Sequence, residues 1–226
     1  DTVQNLSSSK RDTLVKETDL LLKDIQTLKD GTHVSESGMR SIIGLTEIGS
    51  TMYSYLHERD YHTELTKFIN DALLERAKLW QNKGKEERNL RCRLRKADDG
   101  TEFLRAVVSE RYGVIDNHEV MEILKNAMPS MNDALASHIE HDGDDMFGNI
   151  LVPDYMKSEP DSDYGVGIAF KNSEVRNAAF SVAPFLFRAI CLNGMIWGRS
   201  NSEIKVTQRH MGKIDLVELQ SQVNRA

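Results

Sequence analysis

Apolar side chains recur at two different periods along this chain, helical up to about Gly84 and first strand-like at Leu90. From Ser9 to Gly31 the positions Leu14, Thr18, Leu21, Ile25 and Leu28 step by four and three residues, with Leu22 broadening the stripe. That spacing is helical. Ser9 with Asp12 three residues on resembles a capping box, and Gly31 stands where a helix-ending glycine would. The stripe admits two uses, packing on its own domain or a coiled-coil seam for self-association. It covers only about three heptads, which favours the first. Thr46 is placed to cap a short helix through Leu56. A longer one is expected from Asp60 to near Gly84, with Leu65, Phe68, Ile69, Ala72, Leu73 and Trp80 on one face.

At Leu90 the period drops to two. Leu90, Cys92 and Leu94 alternate with Arg91, Arg93 and Arg95, which predicts a strand with three residues facing in and three arginines facing out. Asp98-Asp99-Gly100 is a hairpin turn signal, and Phe103 to Ser109 is the returning strand. Asp116 with Glu119 caps a helix that Pro129 stops. His141 to Asp144 reads as a second hairpin turn, between segments 135–140 and 146–152; the first of these admits helix as well as strand. Strands are expected at Tyr164–Phe170 and Ala178–Val182. Pro184 suits the first turn of a helix over Phe185–Leu192, ended by Asn193-Gly194 with Gly194 at positive φ. A strand near Glu203–Gln208 and a helix from Asp215 close the chain. The fold class is therefore α+β: a helical N-terminal region over 1–86, a core of antiparallel hairpins with packed helices over 87–212, and a C-terminal helix over 213–226.

Composition narrows the function. The 226 residues are 39% hydrophobic and 28% charged with mean hydropathy −0.47, which excludes an integral membrane protein. Ala178 to Trp197 is long enough to span a bilayer but carries Arg188 near its centre, at a cost of about 3 kcal/mol. Two distant cysteines, Cys92 and Cys191, do not make a disulfide scaffold and favour a reducing compartment. The chain opens on Asp1, which is compatible with a preceding signal peptide. The net charge of −6 advertises no global attraction to nucleic acid, but it is unevenly spread. Lys83–Lys96 holds seven basic and two acidic residues, whereas Glu140–Asp163 holds eight acidic residues and the single Lys157.

Four phrases resemble an uncharacterised phage/plasmid-like protein domain. They are Ala106–Asn117 (AVVSERYGVIDN), Asn172-Ser173-Glu174-Val175, Phe185–Gly194 (FLFRAICLNG) and Arg209-His210-Met211-Gly212. The resemblance spans about Leu90 to Gly212, with Arg176 standing where that family usually carries glycine. It implies a mobile-element origin and a cytoplasmic protein of a bacterial host or virus-infected cell. A shorter likeness connects Tyr164-Gly165-Val166-Gly167 and the segment ending Asn193-Gly194 to single-strand annealing proteins of the RecT/Redβ/Erf type. This second likeness implies a groove lined by basic residues and assembly of several copies.

The candidate chemistry is arginine on strands. Alternate residues of one strand sit roughly 7 Å apart, and guanidinium forks match phosphate oxygens. The candidate nucleic-acid contacts are Arg91, Arg93, Arg95, Lys96, Arg105, Arg111, Lys171, Arg176 and Arg188, with single-stranded DNA as ligand and a homo-oligomer as the assembly. Phe103 and Tyr112 are the few aromatic residues nearby, so phosphate contact is expected to dominate. A charged strand protected against edge pairing is the plainer alternative. Arg188 in its apolar run calls for a partner, and Glu174 is the one proposed. Cys191 reads as a small core residue. His138 to Asp145 offers metal-ligand types, but neither HExxH nor EF-hand spacing, and reads as a solvated turn. No GxSxG, Walker or GxGxxG motif occurs, so no catalytic residue, metal or cofactor is assigned. A rival function is a protein-binding anti-defence or regulatory module acting through the acidic segment.

Overall fold

The computed structural model describes residues 10–46, 48–127, 135–159, 162–189, 195–197 and 205–225; of these, the side chains at 135–138, 153–156, 158–159, 162–163, 187–189 and 195–197 lie outside the description. The chain is α+β and divides into two compact units, Ser7–Tyr112 and one built on Gly113–Ala226. The hairpin at Leu90–Ser109 thus belongs with the N-terminal helices.

The first unit contains a sheet of order β1-β5-β6-β4-β3-β2. Its strands are β1 (Lys10–Lys16), β2 (Leu22–Asp24), β3 (Thr27–Leu28), β4 (His33–Val34), β5 (Asn89–Lys96) and β6 (Glu102–Ser109). Three helices accompany it: α1 (Glu36–Thr46), α2 (Ser50–His57) and α3 (His62–Asn82). Leu65, Ile69 and Leu73 of α3 and Ile42 of α1 close a core with Leu90, Cys92, Leu94 and Leu104 of the sheet. Burial pushes the Cys92 thiol up to about 12, so it behaves as a packing residue. Phe68, expected on the buried face of α3, is 56% exposed, and Ala77 takes a place in the core instead.

The helix expected over Ser9–Gly31 is not formed; β1, a short 3-10 turn at Glu17–Leu20, β2 and β3 occupy the segment. Two aspartates break the helical reading locally, because Asp24 accepts the Gln26 N–H (2.9 Å) and Asp30 the Thr32 N–H (2.9 Å). Non-local pairs complete the change. The Asn70 side chain binds both the N–H and the C=O of Leu22 (2.7 and 2.9 Å), and buried Glu17 accepts from Arg76 (3.1 Å). Gly31 does take positive φ, but in the β3–β4 turn. Thr46 ends α1 rather than starting a helix, with its hydroxyl donating to the Ile43 carbonyl (2.8 Å).

The second unit carries a sheet of order β11-β10-β9-β8-β7, with β12 also pairing β10. The strands are β7 (Leu135–His141), β8 (Asp145–Glu159), β9 (Ser162–Ser173), β10 (Phe180–Ala189), β11 (Met195–Trp197) and β12 (Val206–Gln208). Helices α4 (Asn117–Ala127) and α5 (Leu216–Arg225) bring Val120, Leu124, Leu219 and Val223 into one core with Ile150, Phe170 and Phe180. Glu119 accepts the Asp116 N–H (2.7 Å), as the expected capping box requires, and Asp215, the expected start of the last helix, accepts the Val217 N–H (2.9 Å). The 141–144 turn also forms as expected, with Asp142 accepting the N–H groups of Asp144 and Asp145 (2.8 and 2.7 Å).

The expected helix from Pro184 is instead the second half of β10. Proline is tolerated there because β12 pairs only Phe180–Val182 of that edge and β11 only Leu186–Arg188. Among the described residues Pro184 falls in the gap between these two neighbours, where its missing N–H interrupts neither ladder. Asn193, Gly194 and Cys191 lie outside the described residues. No helix among the described residues is long and apolar enough to cross a membrane.

Arg176 adopts φ +76, the conformation a glycine would hold without strain. Left-handed backbone costs a side-chain-bearing residue about 1–2 kcal/mol, partly offset by the larger chain entropy of glycine. Arg176→Gly is therefore expected to stabilise the second unit by about 0.5–1 kcal/mol, read as a rise of about 3 °C in its melting temperature.

Candidate nucleic-acid interface

The arginine strand β5 is an interior strand, paired with β1 on one side and β6 on the other. Its arginines share a face as expected, but they are not equally solvated. Arg93 has a side chain only 2% exposed, and its Nε donates to Asp12 Oδ1 (3.2 Å). Arg91 is half-buried, with Nη1 donating to Asp12 Oδ2 (3.3 Å) and Nη2 to the Glu110 carbonyl (3.4 Å). One carboxylate on β1 therefore takes both arginines, and the outward ladder of three cations is reduced to Arg95. Arg105 is buried at the irregularity where the β5–β6 register shifts. Lys96 and Arg111 are exposed in the first unit, and Lys171 and Arg176 in the second. Arg188 is a β10 strand residue facing Tyr164 in register, and its side chain lies outside the description.

What the sheet does assemble is a row across four strands. Lys10 pairs with Arg95, Arg95 with Phe103, and Phe103 with His33. Cross-strand partners project to the same face. Leu94 and Leu104, one residue along from Arg95 and Phe103, point into the helix-covered core, so the row lies on the opposite face. Arg95 and His33 are exposed, while Lys10 and Phe103 are half-buried. The His33 and Phe103 rings stand 5.5 Å apart, tilted by 37°. Adjacent strands lie about 4.8 Å apart, so the row spans roughly 14 Å.

Carboxylates bound this row. Asp12 sits one row below with its charge matched by Arg91 and Arg93. Asp99 sits at the hairpin tip, held below the usual carboxylate range by the Thr101 N–H (2.8 Å). On the other face, Arg11 grips Glu102 with two bonds (2.8 and 2.6 Å) and lowers that carboxyl. Arg95 was legible in the sequence. Lys10 was not, because its segment carries a helical period, and His33 was not, because its strand is two residues long; only strand pairing sets Lys10 beside Arg95 and His33 beside Phe103.

Three of the four resembling phrases converge in the second unit. Glu174, fully buried, accepts the Asn117 N–H at 2.7 Å, and its own N–H donates to the Asp144 carbonyl (2.9 Å). Asn172 donates through Nδ2 to the Ile115 carbonyl (3.0 Å) and to Asn117 Oδ1 (2.9 Å). His210, also buried, sets Nδ1 3.0 Å from the Gly113 carbonyl. A Cβ on Gly113 would come within 2.6 Å of the Gly212 carbonyl oxygen, so backbone packs on backbone there. These residues join loops to a helix start and have little solvent access. The pairing expected between Glu174 and Arg188 does not form: Arg188 pairs in register with Tyr164, ten residues along β9 from Glu174, which accepts the Asn117 amide instead.

Residues 105–223 match the family described as Domain of unknown function (DUF932), and the chain belongs to that family. The match covers all four phrases and begins inside β6, two residues past Phe103. No curated protein and no solved structure shows a significant match to the chain.

Proposed function

We propose that this protein binds nucleic acid through the end of its first sheet where Arg95 and His33 are exposed, with Lys10 and Arg95 against phosphate oxygens. The row Lys10–Arg95–Phe103–His33 carries this reading, because it sets two cations beside an aromatic pair at the end of the strands where Arg95 and His33 are exposed. Single-strand binders combine the same two elements, a basic track and a stacking surface. A role in strand annealing by several copies, in a protein of phage or plasmid origin acting in the cytoplasm, is the finer form of the proposal. It rests on the sequence resemblances.

Fluorescence anisotropy with labelled single-stranded DNA at low and moderate salt tests it. Affinity is expected to fall with salt at a logarithmic slope of about 0.7 per phosphate contacted, and Arg95→Gln is expected to reduce that slope. Absence of binding at low salt by well-folded protein would refute it. A second reading would then lead, in which the acidic end of the second sheet docks a basic protein. Its support is Phe147, 47% exposed beside Glu140 and Asp142.

A further inference from the structure

We infer that the His33–Phe103 pair is a stacking station for an unpaired nucleobase, so that the site selects single strands over duplex. The inference rests on the nucleic-acid reading above and adds what the ligand presents. Phosphate contact alone does not distinguish strand from duplex, whereas stacking on a side chain requires a base that has left its own stack. Phe103 and His33 are in register on β6 and β4, with rings 5.5 Å apart, and His33 is open to solvent. Two adjacent rings on a sheet surface give a base a broader apolar face than either alone. The cations sit on one side of the rings only, in the order Lys10, Arg95, Phe103, His33. A strand crossing the sheet therefore meets phosphate donors first and ring surface next. The row is long enough for about two nucleotides. Nothing in it offers a base-edge hydrogen-bonding pattern fixed by neighbouring groups, so discrimination among bases should be weak.

The test compares a labelled oligothymidylate, the same oligomer with abasic positions, and a duplex, against wild-type protein and the variants Phe103→Leu and Phe103→Tyr. Leucine keeps the half-buried bulk without the ring, and circular dichroism reports the fold of each variant. Wild type is expected to bind oligothymidylate about tenfold more tightly than the abasic oligomer. Phe103→Leu should lose that ratio while keeping its duplex affinity and salt slope, and Phe103→Tyr should retain it. Equal affinity of wild type and Phe103→Leu for oligothymidylate would overturn the station and leave the phosphate reading standing. Failure of wild type to bind any of the three would overturn both.

Discussion

Asp12→Ala is expected to destabilise the first unit by about 3 kcal/mol. The carboxylate serves two guanidinium groups, Arg93 at 3.2 Å and Arg91 at 3.3 Å, across a strand boundary 79 residues wide in sequence. Arg93 is buried, and removing the carboxylate from a buried ion pair costs far more than breaking an exposed one. Surface ion pairs contribute at most about 1 kcal/mol, so the size of the loss reports burial. Urea unfolding followed through Trp80 on α3, in a Trp197→Phe background, isolates this unit. With an m-value of about 2 kcal/mol/M, the midpoint should drop by about 1.5 M. Combining Asp12→Leu with Arg93→Met removes both charges and should recover most of the loss. A midpoint shift below about 0.3 M for Asp12→Ala would show that the pair is not what holds β1 to β5.

The residues that were legible in the sequence are those whose partners are close along the chain. The β5–β6 hairpin follows from alternation and an Asp-Gly turn, all within twenty residues, and it forms with Gly100 at φ +89. Helix α4 carries its capping signal, Asp116 with Glu119, within three residues of its start. The helix expected over Ser9–Gly31 failed because a strand, a turn and two short strands happened to space their leucines at four and three. What decides its structure is distant: β5 for β1, Asn70 for Leu22, Arg76 for Glu17. The candidate site suffered in the same way. Its arginines were visible, but the carboxylate that neutralises two of them comes from that misread segment, and the histidine that joins Phe103 sits on a two-residue strand just past it. The second half of β10 was lost to a different cause. Pro184 is a helix-start residue by local preference, and only the two partial neighbours of that strand edge make it acceptable in a sheet.

Glu174→Ala is expected to destabilise the second unit by about 3 kcal/mol. The carboxylate is buried at the first turn of α4 and accepts the Asn117 N–H at 2.7 Å, where the positive end of the helix favours an anion. Alanine removes an acceptor for that amide in a place water does not reach, and leaving a buried donor without its partner is the costly case. Neighbouring bonds amplify the loss, since Asn117 also takes a bond from Asn172 and the Glu174 N–H anchors the turn before β8. Glu174→Gln keeps an oxygen in reach but removes the charge, so about half the cost should remain. Amide hydrogen exchange at Asn117 distinguishes this lock from a general packing defect. Its protection should fall toward that of the frayed first turn in Glu174→Ala while amides in the middle of β9 lose only the global difference. If Asn117 and the β9 amides lose protection equally, Glu174 acts through packing alone, and the convergence of the family's phrases at this turn needs another cause.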